Sequence, residues 1–209
     1  MDLLNITGIT EETFKEVRVE PSTGGFLWES GMYKVEIKEL AVFETERKAR
    51  MVKIEMFDPE TEKTFTEYIN TSYIDKESKE VTENKGGASI FKALLSVIAL
   101  EPAKAQIEEK EIDAYGKKVN GQVIKNAEAR MCYALVREVE DLNNEKYPSS
   151  NQVEGFADVE KQIGGSTEPV EKWLAKIEKA PVKILKVKGG NKTTTPKAED
   201  TKAAISLLD

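Results

Sequence analysis

The strongest constraint on the fold of this chain is a set of three alternating segments that short polar turns separate. Residues 31–43 alternate apolar side chains with lysine and glutamate, which predicts a half-buried strand. Two further strands are predicted from the apolar and aromatic residues Met51, Val52, Ile54 and Met56, and then Phe65, Tyr68, Ile69 and Tyr73. Parallel strands need about a dozen residues in each connection. The shorter turns therefore predict an antiparallel meander.

A segment with helical spacing follows the third strand. Gly86-Gly87 reads as a turn, Ser89 is a suitable N-cap residue, and large apolar side chains then recur every three or four positions before Pro102. The pattern predicts a helix over residues 89–100. We expect it to pack on the sheet, with about 1.5–3 kcal/mol of stabilisation for each large side chain that it buries.

The middle of the chain predicts further strands. Asn120-Gly121 favours a hairpin turn. Residues 131–139 alternate through a long strand, and a polar loop over residues 141–150 leads to a partner strand near residues 153–156. Together with the meander, these strands predict an antiparallel barrel of five or more strands, with the helix at one end.

The C-terminal part predicts a second helix, which begins after the break at Gly164-Gly165 and ends before Pro181. Its apolar face carries Val170, Trp173, Leu174 and Ile177. Residues 182–187 favour a short edge strand. The chain thus divides into an N-terminal arm (1–29), a β-barrel domain (30–160), a C-terminal helix with a short strand (161–188) and a flexible tail (189–209). The expected fold class is mainly β with α additions.

Residue usage argues against catalysis. The chain has no histidine and a single cysteine, Cys132, which excludes histidine-dependent acid/base chemistry and zinc sites built from imidazole or several thiolates. The two glycine pairs lack the lysine and serine of a phosphate-binding loop. A Mg²⁺ site built from carboxylates alone or a lysine base stays open as an alternative. We expect a protein that is not an enzyme and that has no cofactor and no metal site.

Hydropathy and charge predict a location and a partner class. No run of eighteen apolar residues occurs, and the first residues are acidic and polar, so we expect a cytoplasmic protein with no membrane partner. The net charge is −7, which disfavours unspecific binding to duplex DNA but allows a local basic groove.

Aromatic and basic residues on the strands and turns predict a site for single-stranded nucleic acid. Such a site needs flat side chains that stack on bases and cations that follow the phosphates. The alternative interpretation is that the tyrosines pack across strands and the basic residues are ordinary surface. The candidate nucleic-acid-binding residues are Arg47, Lys48, Arg50, Lys53, Tyr68, Tyr73, Lys117, Lys118, Lys146 and Tyr147.

The order of these elements resembles phage-encoded single-stranded-DNA-binding proteins of oligonucleotide-binding fold. The resemblance covers about residues 26–158, with Gly31, Tyr33, Val35 and Ile37 at the opening strand and residues 133–153 at the closing hairpin. It implies an oligonucleotide-binding-like barrel and a non-catalytic role in phage DNA replication, recombination or transcription. It also implies single-stranded DNA as the partner, a homo-oligomer and the host cytoplasm.

A second class of function stays open. The tail is basic up to Glu199-Asp200, whereas the resembling proteins commonly end in an acidic tail that recruits partners. The alternative is a phage transcription cofactor or a protein-interaction module that contacts a phage or host RNA polymerase. The candidate partner-binding residues are Trp173 in the C-terminal helix and Ile205, Leu207 and Leu208 at the apolar tip.

Overall fold

The computed structural model describes residues 28–75, 77–144, 149–160, 162–165 and 169–185. This part of the chain is mainly β with two α-helices, which confirms the predicted fold class. The elements in chain order are β1 (Gly31–Glu44), β2 (Arg50–Asp58), β3 (Lys63–Ile74), β4 (Val81–Glu83), α1 (Lys85–Val97), β5 (Ile107–Ala114), β6 (Lys117–Ile124), β7 (Met131–Asp141), β8 (Ser149–Ala157), α2 (Val170–Lys179) and β9 (Val182–Leu185). Single 3₁₀ turns follow α1 and β6.

The three strands of the meander pair in sequence order, and β1 connects them to the rest of the sheet. Along one edge, β1 pairs antiparallel with β2, which pairs with β3. Along the other edge, its first half pairs with β7 and its second half with β6. All pairs are antiparallel except that between β7 and β9. The predicted meander therefore forms the centre of the fold.

In the described part of the chain the sheet does not close into a barrel, so the predicted barrel is not confirmed. No strand pairing joins β3 or β4 to β8 there. A side chain spans this gap instead, since the Glu67 carboxylate on β3 accepts a hydrogen bond of 3.0 Å from the Val153 amide of β8. Helix α1 packs against both β3 and β8. One carboxylate and one helix therefore link β3 to β8 in place of a backbone ladder.

The main core lies between α1 and the inner face of the sheet. Its largest fully buried side chains include Phe91 and Leu94 from α1 and Phe156 from β8. The end of the predicted arm also belongs to this core. Trp28 is buried against Tyr33 and exchanges two backbone hydrogen bonds with the side chain of Asn151, so residues 28 and 29 are anchored to the fold. The rest of the predicted arm lies outside the described residues.

Helix α1 begins at Lys85, four residues before the predicted start at Ser89, and it ends at Val97. The side chain of Asn84, not that of Ser89, caps it by accepting a hydrogen bond from the Gly87 amide. Gly86 and Gly87 lie in the first turn of α1, where the helix approaches β3 closely. A Cβ atom on Gly87 would lie 1.8 Å from the carbonyl oxygen of Asn70.

The hairpin of β5 and β6 turns at Tyr115-Gly116, and the prediction of a turn at Asn120-Gly121 is wrong. Tyr115 and Gly116 both have positive φ, 51° and 72°, as a two-residue hairpin turn requires. Gly121 instead lies within β6, opposite Phe43 of β1. Its missing side chain makes room for Ile112, whose Cδ1 would be 2.7 Å from an added Cβ.

The C-terminal helix α2 packs on the sheet, and β9 extends the same sheet beside β7. Neither of the two described helices is long and apolar enough to cross a membrane. The predicted flexible tail lies outside the described residues.

Candidate nucleic-acid interface

Two turns meet at one end of the sheet. The β1–β2 turn (residues 45–49) and the β5–β6 turn are joined by an ion pair of 3.4 Å between Glu46 and Lys117. We define the turn cluster as Arg47, Lys48, Tyr115, Lys117 and Lys118. The fold therefore brings the turn with Arg47 and Lys48 close to the turn with Lys117 and Lys118, which lies about seventy residues further along the sequence.

An aromatic stack supports the turn cluster. Tyr115 stacks on Tyr68 with ring centroids 4.1 Å apart, and both rings meet Phe43 edge to face. The Tyr115 amide also donates a hydrogen bond to the Tyr68 hydroxyl. Tyr68 is 7% exposed and Tyr115 is 37% exposed. Tyr68 is therefore the buried ring of the stack, and Tyr115 is the exposed ring.

The lysines of the turn cluster are exposed and lightly held. Lys48 pairs with Glu44 at 2.7 Å and Lys118 pairs with Asp113 at 2.8 Å. The hydrogen bond to Asp113 raises the pKa of Lys118, so this lysine stays charged at neutral pH. Ion pairs between exposed groups are worth about 1 kcal/mol or less, so phosphates can compete for these cations. Arg47 is exposed within the β1–β2 turn.

Lys53 does not belong to the turn cluster. The residue is 5% exposed and its ammonium lies 2.8 Å from Glu39 and 3.2 Å from Glu55. Burial alone would lower the pKa of Lys53, but the hydrogen bonds to these carboxylates raise it. Glu39 also binds Lys110 of β5. Lys53 therefore helps to fix the β5–β6 hairpin on the sheet, and it is not available to a phosphate.

Arg50 and Tyr73 lie at the same end of the sheet as the turn cluster. Arg50 opens β2 and is half-buried, and its amide donates a hydrogen bond to the hydroxyl of Ser72. Tyr73 is the next residue on β3 and is also half-buried. Two other predicted nucleic-acid contacts lie outside the described residues, namely Lys146 and Tyr147.

Trp173 faces the core. It is 8% exposed, and its indole Nε1 donates a hydrogen bond of 3.0 Å to Glu154 of β8. The apolar face of α2, which carries the predicted partner-binding residue, packs on the sheet. The other predicted partner-binding residues lie outside the described residues, namely Ile205, Leu207 and Leu208.

The described residues offer neither a metal site nor a reactive cysteine at this interface. Within the described ranges, no three Cys, Asp or Glu side chains are arranged to hold a metal ion. Cys132 is buried in the main core, and burial raises the pKa of its thiol to about 12. A thiol with this pKa is a poor nucleophile at neutral pH.

Comparison with known proteins does not assign the chain to a family. No protein-family model matches the chain, and no curated protein sequence matches it at a significant level.

Sequence reasoning missed Tyr115 and Phe43 as members of the site. Gly116 between the alternating segments of β5 and β6 is a hairpin signal, and it would have placed Tyr115 at an exposed turn. The contact of Tyr115 with Tyr68 depends on residues 47 positions apart, so no local pattern contains it.

Proposed function

We propose that the protein binds single-stranded DNA through the turn cluster and catalyses no reaction. The observation that carries this proposal is an exposed tyrosine ring, stacked on a buried one, in a turn whose Lys117 is ion-paired with Glu46 of the turn that carries Arg47 and Lys48. Cations that follow the phosphates and aromatic rings that stack on bases are the two parts of a single-strand site.

Stacking gives the proposed site its preference for single strands. A base can stack on the ring of Tyr115 only when its face is exposed, and in a duplex both faces are covered by neighbouring base pairs. One such contact is worth about 1–3 kcal/mol. Electrostatic attraction alone would not distinguish the two forms in this way, because both present phosphates.

The acidic body of the protein supports a local rather than a general attraction. The net charge is −7, and the lysines of the turn cluster are paired with Glu44, Glu46 and Asp113. A phosphate must displace these carboxylates from the lysines. We therefore propose modest affinity at each site, with strong dependence on salt.

The resemblance to phage proteins supplies the rest of the proposal. We propose that binding serves phage DNA replication, recombination or transcription in the host cytoplasm. A homo-oligomer and contact with an RNA polymerase stay predictions. Of the four residues named for partner binding, Trp173 is committed to the core and the other three lie outside the described residues.

A fluorescence-anisotropy titration tests the proposed function. The probes are labelled oligo(dT) and a duplex of the same length, each at two salt concentrations. We expect tighter binding to oligo(dT) at both concentrations, with affinity that falls as salt rises. Equal affinity for the two probes, or no binding to oligo(dT) at low salt, would contradict the proposal.

A further inference from the structure

Asn70 is a buried polar residue whose side chain has no hydrogen-bond partner among the described residues. It is 4% exposed, and neither its Nδ2 nor its Oδ1 forms a hydrogen bond there. Leaving a buried polar group unsatisfied costs folding free energy. A leucine of similar size would avoid this cost, so the carboxamide calls for an explanation other than stability.

The strand register places Asn70 beside the aromatic stack. Residues i and i+2 of a strand share a face, so Asn70 lies on the same face of β3 as Tyr68. Across the sheet, Asn70 pairs with Met51, which pairs with Phe43. Phe43, Met51 and Tyr68 form one apolar cluster, and Tyr115 covers it from the hairpin turn.

The buried side chains of Thr71 and Asn84 do have partners. The Thr71 hydroxyl donates a hydrogen bond of 3.1 Å to the carbonyl of Arg50, and the Asn84 side chain caps α1. The backbone of Asn70 approaches Gly87 closely. Among the described residues, Glu83 and Arg137 each leave one buried polar atom without a partner, whereas Asn70 leaves both polar atoms of its side chain without one.

Opening the contact between Tyr115 and Tyr68 separates the stacked rings and breaks the hydrogen bond from the Tyr115 amide to the Tyr68 hydroxyl. Tyr115 lies in the hairpin turn between β5 and β6, outside both strands. A base that enters between the two rings replaces one ring contact by two. Its edge then lies at the level of Tyr68, where Asn70 offers one acceptor and two donor hydrogens.

We propose that Asn70 reads the edge of a base that is inserted between Tyr68 and Tyr115, and so gives the protein a base preference. A carboxamide can bond at once to an adjacent donor and acceptor. Adenine presents such a pair on two edges, N6–H with N7 and N6–H with N1, whereas thymine and cytosine each present it on one edge. Adenine is therefore the favoured base. This inference rests on the proposed function and goes beyond it, since stacking and phosphate contacts alone select no base.

Anisotropy titrations with oligo(dA), oligo(dC) and oligo(dT) test the inference on the full chain. The proteins are the parent, Asn70→Leu, Asn70→Ser and Asn120→Leu, a matched change at an exposed position of β6. Self-stacking of each oligonucleotide is the same for every protein, so ratios of affinity between proteins isolate the effect of the substitution. Circular dichroism identifies the variants that fold, and the serine variant serves if leucine does not fit.

We expect the parent and Asn120→Leu to bind oligo(dA) about fivefold to a hundredfold more tightly than either Asn70 variant does. Affinity for oligo(dT) should fall less than affinity for oligo(dA) does. The same ratio of oligo(dA) affinity to oligo(dT) affinity in the parent and in a folded Asn70 variant would overturn this inference alone. No binding to any of them would overturn the proposed function as well.

Discussion

Glu67 links β3 to β8, and replacing it by glutamine should remove a component of the pH dependence of stability. Burial raises the pKa of Glu67 from its ordinary value of 4.5 to about 7, although hydrogen bonds from the Val153 and Tyr68 amides act in the opposite direction. The folded protein therefore holds this proton up to about pH 7, whereas the unfolded chain releases it near pH 4.5. The folded state binds more protons in this interval, so the free energy of unfolding falls as the pH rises through it.

The magnitude follows from the two pKa values. Their difference corresponds to at most about 3 kcal/mol. The side chain is half-buried, and the solvent that reaches it screens the charge, so we expect about 1–2 kcal/mol. Glutamine stays neutral at every pH and keeps an oxygen that can accept the hydrogen bond from Val153.

Urea denaturation of the parent and of Glu67→Gln at pH 5, 6, 7 and 8 measures this effect. Other titrating groups contribute equally to both proteins and cancel in the difference. We expect the variant to gain about 1–2 kcal/mol on the parent between pH 5 and pH 7, with little further change at pH 8. A difference that does not depend on pH would refute the reasoning, because Glu67 would then titrate alike in both states.

Two further predictions concern the β5–β6 hairpin and the turn cluster. Gly121→Ala should lower the free energy of unfolding by about 1–3 kcal/mol, because the new Cβ would meet Ile112; urea denaturation measures it, and an unchanged midpoint would contradict the packing. Lys117→Ala should weaken binding to oligo(dT) and reduce the slope of log affinity against log salt by about 0.7, whereas Lys104→Ala should change neither. The two lysines are matched, with 73% and 72% of the side chain exposed and one carboxylate partner each, but Lys104 lies beyond the opposite end of the hairpin. Equal effects of the two changes would contradict the placement of the site.

The strands of the meander could be predicted because their signal is local. Alternation between apolar and charged residues over residues 31–43 fixes both the strand and its buried face. The absence of a strand pairing between β3 and β8 in the described residues could not be predicted in the same way. It depends on whether β3 and β8, far apart in the sequence, approach closely enough for a backbone ladder, and here Glu67 occupies the contact instead.

Glycines misled the prediction of two boundaries for a tertiary reason. Gly87 permits close contact between α1 and β3, and Gly121 makes room for Ile112, so each serves packing rather than a turn. Sequence patterns report that a glycine is present but not which neighbour requires it.

The cations of the candidate site could be predicted from the sequence, but its exposed aromatic ring could not. Lys117 and Lys118 flank a hairpin turn, so their exposure follows from local sequence. Lys53 has the same chemistry but is buried by Glu39 and Glu55, which only the register of β1 and β2 reveals. Tyr68 was chosen because it is aromatic, yet the fold covers it with Tyr115 and exposes the second ring.

The affinity of Tyr115→Ala for oligo(dT), measured by fluorescence anisotropy against the parent, tests the central claim most directly. The control is Ile184→Ala, which shortens an exposed apolar side chain on β9, beyond the opposite end of β1 from the turn cluster. Loss of a stacking contact worth about 1–3 kcal/mol should weaken binding about fivefold to a hundredfold in Tyr115→Ala and leave the control unchanged. Oligo(dT) affinity equal to that of the parent, in a Tyr115→Ala protein that circular dichroism shows to be folded, would contradict a single-strand site at the turn cluster.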